Sequence, residues 1–207
     1  MLPNEITKES FVELCHILYE NRLVSGFGGN VSARLDNLIM TTPTGMSLRD
    51  ILIEDIVFVA PNCQVVGSKG QPTREFSMHS GILEVREDIQ VVCHVHGKYL
   101  IAASAQLTPG DNSLPALTPG FSLFGYPLAM LPFYIPGSRE LADAVRSAFE
   151  DTKTMALLLQ NHGLITVGAD MRQALNIAEE INEAAAVFVL SPGRHSTIPY
   201  EHQIQLI

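Results

Sequence analysis

Strands that alternate with helices place this chain in the α/β or α+β class, as a single domain. Three observations carry that reading. Short apolar segments and longer helical periodicities follow one another along the chain. No linker, internal repeat or low-complexity tract divides it. Its 207 residues suit one domain, or at most two small ones. A chain of that length buries roughly 70% of the surface its unfolded form exposes, so it needs no disulfide or metal merely to fold.

Residues 5–24 carry helical periodicity, with Phe11, Leu14, Cys15, Ile17 and Leu18 on one face. Gly26, Gly28 and Gly29 break it. Val31–Arg34 and Leu38–Thr42 predict two strands around a turn at Asp36-Asn37, and Thr42-Pro43-Thr44-Gly45 is a further turn. Asp55–Ala60 and Cys63–Val66 predict another hairpin across Pro61-Asn62. Pro72-Thr73-Arg74-Glu75 opens a helix that runs to Val85, because Pro near the first turn and Glu inside it are start signals. Val91–His96 reads as a strand and Ala102–Gln106 as a short helix. Residues 107–137 are rich in Pro and Gly and predict a long irregular excursion with one strand near Leu128–Phe133. Glu140–Phe149 is a helix. Ala156–Leu159 and Leu164–Val167 are strands around Gln160-Asn161-His162-Gly163, and Met171–Leu190 is the longest helix. From Ser191 the chain shows no periodicity, so residues 1–207 form one domain with 191–207 as a C-terminal tail.

Thirteen Lys+Arg against 22 Asp+Glu give a formal net charge of −9, with 46% hydrophobic and 17% charged residues, a balance that argues against wholesale disorder. An acidic chain without basic blocks argues against a nucleic-acid partner, since phosphate contacts supply most of that affinity. The same balance argues against a polybasic membrane-surface protein. Cys15, Cys63 and Cys93 share no CxxC spacing and are odd in number, which reads as buried thiols in a reducing compartment. The opening MLPNEITKES lacks the basic and apolar regions of a signal peptide. Apolar runs such as Met155–Leu159 and Ala184–Leu190 are too short to span a bilayer. The expected location is cytoplasmic, with no membrane partner.

The chemistry centres on His94-Val95-His96. In a strand, residues i and i+2 point to the same face, so both imidazoles could converge on one ion such as Zn²⁺, Mn²⁺ or Fe²⁺. The alternative is two histidines in a half-buried strand, each satisfied by a hydrogen bond. His162 lies between two strand-like segments, where an ordinary loop histidine is also expected. Three histidines together would make an open catalytic metal site. Glu75 reads either as a helix-start carboxylate favoured by the helix dipole, or as a fourth ligand or general base. His79, one helical turn on, reads as structural.

Small donor-rich loops complete the set: Gly28-Gly29-Asn30, Thr44-Gly45 and Thr73-Arg74. Backbone N–H groups at such turns bind phosphate or carboxylate, and Arg74 could add a bidentate contact. Met46, Met78 and Met130 read as core fillers. There is no G-x-S-x-G elbow, no complete Walker loop and no strand-to-helix G-x-G-x-x-G, which disfavours serine hydrolase, P-loop and Rossmann readings.

The motifs occur in a particular order: Gly-Asn-Val-Ser-Ala-Arg (29–34), Thr-Pro-Thr-Gly (42–45), Pro-Thr-Arg-Glu-Phe-Ser-Met-His (72–79), His-Val-His-Gly (94–97) and Asn-His-Gly-Leu (161–164). That order resembles the class II aldolase/adducin family over residues 5–190. The resemblance implies a three-layer α/β/α domain on a central mixed, largely antiparallel sheet. It implies one divalent metal ion per chain, Zn²⁺ foremost and Mn²⁺ an alternative, on His94, His96 and His162. It implies that Glu75 binds the metal at rest or serves as acid/base catalyst. Gly29, Asn30, Thr44, Gly45, Thr73 and Arg74 match or adjoin positions that hold the substrate phosphate. A homotetramer with sites at subunit contacts is implied as well.

The implied activity is a metal-dependent carbon–carbon lyase, aldolase or decarboxylase, acting on a phosphorylated or acidic short keto-sugar through an enediolate. A sugar-phosphate epimerase or dehydratase of the same family is an alternative, although the epimerases carry Asp where this chain has Glu75. A non-enzymatic adducin-like binding module is another, although that relative lacks most of the ligands. Two features depart from the fuculose-phosphate aldolases: Thr73-Arg74 replaces a serine pair, and no Tyr follows Pro115-Ala116 at the aldolase spacing. The 3-oxo-tetronate 4-phosphate decarboxylases are more similar at the basic residue before Glu75 and at Pro132–Gly137. Tyr126, Tyr134 and Tyr200 are the candidate proton donors.

Overall fold

The computed structural model describes residues 2, 5–191, 193, 195–203 and 205. Seven strands form one sheet: β1 (Asn30–Leu35), β2 (Leu38–Thr41), β3 (Val57–Val59), β4 (Val91–Val95), β5 (Ala129–Leu131), β6 (Ala156–Leu159) and β7 (Gly163–Gly168). Their order is β3-β2-β1-β4-β7-β6-β5. Every neighbouring pair is antiparallel except β5 with β6. The helices are α1 (Lys8–Glu20), α2 (Phe76–Val85), α3 (Lys98–Ser104), α4 (Pro119–Phe124), α5 (Arg139–Ala148), α6 (Met171–Leu190) and α7 (Tyr200–Gln203).

Side-chain alternation along the strands sorts these helices into two layers. Val91, Cys93 and Val95 of β4 join α1, α3, α4 and α6 in one core. Val92, together with Leu157, Leu159, Ile165 and Val167, joins α2 and α5 in the other. The sheet is therefore covered on both faces, which explains why its central strands read as unbroken apolar runs. Phe11 and Phe121 anchor the first core and Phe149 the second, each fully buried and worth roughly 1.5–3 kcal/mol of transfer free energy. The result is the three-layer domain that the motif order implies.

Several boundaries shift. The helix expected from Pro72 begins at Phe76, because residues 71–73 are drawn into pairing with the 42–44 turn. Cys63–Val66 forms one bridge, Val59 to Val65, in place of a full strand. Helix α4 lies inside the segment read as irregular. Its start signals, a Thr118 side chain capping Phe121 and Pro119 in the first turn, are ordinary ones obscured by the Pro/Gly density around them. The tail contains α7, and Ile198 donates to the Ala116 carbonyl. Cys15 and Cys93 are buried as expected, but Cys63 is exposed because it sits in a surface turn at φ 62°. Met78 and Met130 are core residues, and Met46 packs half-buried against the core. Among the described residues no helix is long and apolar enough to cross a membrane.

Candidate metal centre

The site forms where β1 starts and β4 ends, on the sheet face that carries α2. Gly29, at φ +79°, leads the chain into β1; a Cβ there would stand 2.3 Å from Val24 Cγ1 and 3.0 Å from the His94 carbonyl. Only glycine fits both the backbone angle and that space. Asn30 then pairs directly opposite His94 across the β1–β4 ladder. His96 follows two residues later, just past the strand end. The third histidine, His162, sits in the β6–β7 turn, whose Asn161 backbone at φ 55° is held by the Ser104 hydroxyl accepting from the Asn161 N–H. Gly163 lets this turn close onto β4, since a Cβ there would lie 2.3 Å from the Val95 carbonyl and 2.8 Å from His96 Cδ2.

Glu75 does not occupy the first helical turn as expected. It is the residue before α2, at φ −98° and ψ 15°, and its side chain caps nothing. That non-helical backbone turns the carboxylate toward the histidines. Glu75 Oε2 lies 3.3 Å from His94 Nε2, and Oε1 lies 3.5 Å from His162 Nε2. His94 Nε2 is 2.8 Å from His96 Nε2 and 3.2 Å from His162 Nε2. The His94 Nδ1 faces the Leu164 carbonyl at 3.1 Å, so the proton belongs on Nδ1 and the Nε2 lone pair points into the cluster.

The four donors lie within 4.8 Å of one another and could hold a metal ion. A tetrahedral ion with bonds of about 2.0–2.1 Å separates its ligand atoms by about 3.3 Å, close to the spacings seen here. Electrostatics agrees with the geometry. Burial pushes His96 down to about 3, and repulsion from His94 and His162, whenever those rings are protonated, acts in the same direction. Burial, with His94 beside it, pushes His162 down to about 4. Both rings are therefore neutral at neutral pH, the form that binds metal. Burial alone would raise Glu75, but a proton on His94 facing it, by charge and hydrogen bond, then the Asn30 amide, outweigh that and hold the carboxyl well below its ordinary range; a cation among the imidazoles would act in the same direction. The donor set fits a divalent cation.

The other expected residues divide. Thr44 donates its N–H to the Gln71 carbonyl and Thr73 donates to Thr42, so the 42–45 and 71–75 loops lie side by side. Thr44, Gly45 and Arg74 are exposed; Thr73 is buried, and its hydroxyl accepts from the Glu75 N–H at 3.4 Å. Asn30 carries a contact that the sequence did not suggest: its Nδ2 donates to Glu75 Oε2 at 3.0 Å. No local signal could have found it, because the partners are 45 positions apart. His79 is fully buried, with neither ring nitrogen hydrogen-bonded. It stands outside the four-donor cluster. The Tyr126 hydroxyl accepts from Asn112, Tyr134 packs half-buried on the α2–α5 core, and the Tyr200 side chain lies outside the described residues. The cluster is separate from a 440 Å³ groove between α2 and the β1–β2 hairpin, lined in part by Arg34, Leu38, Phe76 and Glu84.

A sequence profile of the class II aldolase and adducin N-terminal domain matches residues 9–189. The chain belongs to the class II aldolase/adducin family. Within this family, an L-fuculose phosphate aldolase of Methanococcus maripaludis is 37% identical over 175 residues, covering 84% of this chain and 92% of the relative. A 3-oxo-tetronate 4-phosphate decarboxylase of Haemophilus influenzae is 30% identical over 190 residues, covering 90% and 89%. The crystal structure of YgbL from Klebsiella pneumoniae superposes with a TM-score of 0.88 at 25% identity, covering 97% of each chain. The protein is thus an enzyme of the class II aldolase/decarboxylase type.

Proposed function

We propose that this class II aldolase-family protein is a divalent-metal-dependent carbon–carbon lyase acting on a phosphorylated or acidic short keto-sugar. The observation that carries the proposal is the convergence of His94, His96, His162 and Glu75 within 4.8 Å. The three histidines would hold the ion, Zn²⁺ foremost and Mn²⁺ as the alternative. Bound there, the ion supplies the Lewis acidity that stabilises an enediolate when a carbon–carbon bond breaks.

Glu75 occupies the fourth donor position, and a catalytic site needs that position for substrate. With an ion held by the histidines, its carboxylate would be the arm that gives way to substrate. Burial raises its pKa while His94 and the Asn30 amide lower it, so loss of the His94 contact would move the carboxyl upward, the direction an acid/base group needs. In that position it serves as the acid/base group. Gly29, Asn30, Thr44, Gly45, Thr73 and Arg74 would hold the phosphate. Support comes from the side-by-side 42–45 and 71–75 loops, whose exposed Arg74 guanidinium suits an anion.

A homotetramer with sites at subunit contacts fits the exposed Phe27, beside the site-forming glycines, and the exposed Phe133 and Ile135 ahead of α5. Light scattering of the purified protein tests it. A cytoplasmic setting fits the three free thiols. The deciding experiment is a panel of ketose 1-phosphates and 3-oxo-tetronate 4-phosphates with added Zn²⁺ or Mn²⁺, scored for aldehyde and carbon dioxide. Aldehyde marks the aldolase branch, carbon dioxide the decarboxylase branch, and an isomer alone would replace both with the epimerase reading. His94→Ala should lose bound metal and activity together; retention of both would overturn the site assignment.

A further inference from the structure

Asn30 sits at the first position of β1, opposite His94, and is 7% exposed. Its Nδ2 lies 3.0 Å from Glu75 Oε2. A carboxylate oxygen only accepts, so the amide must face it with its nitrogen; the flipped amide would set two acceptors against each other. That orientation leaves Asn30 Oδ1 buried with no partner. A buried, half-satisfied amide is costly to a fold and is retained where its one bond serves a purpose. The bond it makes is to the one donor of the cluster that is neither on a strand nor directly next to one, since His94 lies in β4, His96 follows it and His162 precedes β7. The three histidines are set by the β4 ladder and the β6–β7 turn. Glu75 hangs from the short segment before α2.

We propose that Asn30 is a positioning residue for Glu75, holding the carboxylate against the three imidazoles as the fourth arm of the metal site. The proposal rests on the metal-site reading above and deepens it. Because Nδ2 carries two hydrogens, the bond to Glu75 leaves one donor for a substrate phosphate, and the two roles are compatible. Asn30 contacts a ligand and not the ion, so it acts through Glu75. Groups of this kind are typically worth about 10–100-fold in metal affinity.

The test titrates the substrate-free, chelator-treated protein with Zn²⁺ and with Co²⁺, reading affinity and the visible absorption of bound Co²⁺. The chains compared are wild type, Asn30→Ala, Asn30→Asp, Glu75→Ala, His94→Ala and the Asn30→Ala/Glu75→Ala pair. Both Asn30 variants should bind about 10–100-fold more weakly and shift the Co²⁺ band toward that of Glu75→Ala. The double variant should bind no more weakly than Glu75→Ala alone, since the amide has nothing left to hold. Wild-type affinity with an unchanged band in Asn30→Ala, or losses that add in the double variant, would overturn the proposal. Asn30→Asp keeps the side-chain shape and carries the test if circular dichroism shows that Asn30→Ala does not fold. Wild type that takes up neither ion, or His94→Ala that titrates like wild type, would overturn the metal-site reading itself, a different result from failure at Asn30.

Discussion

Replacing His79 with leucine should remove a large part of the protein's sensitivity to acid. His79 is fully buried on α2, and neither ring nitrogen has a hydrogen-bond partner. Burial pushes its pKa down to about 3, helped by His94 and opposed by Glu75. A histidine in the unfolded chain titrates near 6.5. Between those values the unfolded chain binds a proton that the folded chain does not, so stability falls as pH falls. The contribution is intact above pH 6.5 and is lost progressively down to about pH 3. One such group changes stability by about 1.4 kcal/mol per pH unit, and the full window of roughly 3.5 units has a ceiling near 5 kcal/mol. Urea unfolding of chelator-treated protein at pH 7, 6 and 5, followed by circular dichroism, measures it. His96 and His162 titrate abnormally in the same window, but they are common to both chains and cancel in the difference. Between pH 6 and 5 the gap between His79→Leu and wild type should open by about 1.2 kcal/mol in favour of the variant. At pH 7 the variant should match or exceed wild type, since it buries no unpartnered nitrogen. Stability curves that stay parallel with pH would refute the reasoning.

Other perturbations probe the scaffold around the site. Arg86 is 1% exposed, pairs both ways with Asp88 at 2.8 Å, and donates to the Thr154 and Asp151 carbonyls at 2.8 and 3.2 Å. Arg86→Ala strips those carbonyls of their donor, leaves a solvent-exposed Asp88, and should cost about 1–3 kcal/mol in urea unfolding. Gly163→Ala places a methyl 2.3 Å from the Val95 carbonyl and 2.8 Å from His96 Cδ2. It should lower both the melting temperature and the metal affinity, whereas Gly45→Ala, with nothing within 4 Å but φ at +75°, should cost about 1 kcal/mol from backbone strain alone.

The site was legible in sequence to the extent that its residues sit in short ordered motifs. His94 and His96 share a strand face by simple alternation, and the structure brings their Nε2 atoms to 2.8 Å. His162 was visible only as a polar residue between two apolar strands; its approach to His94 depends on β4 and β7 pairing in register. Glu75 was misplaced by a residue or so, because the pairing of 71–73 with the 42–44 turn takes up the helix start signals at Pro72. The Asn30–Glu75 bond had no signal at all.

Local chemistry within the sequence determined which segments become strands and helices: the short, nearly continuous apolar run at 91–95, the Asp170 cap and apolar stripe of α6, and the glycines at 26–29. Those preferences act over a few residues, so they are written in neighbouring side chains. Which strands pair, which face of the sheet each helix covers and whether four distant donors meet were decided only by the tertiary structure. Those outcomes depend on burying two apolar faces of one sheet at once, a condition that no window of sequence contains.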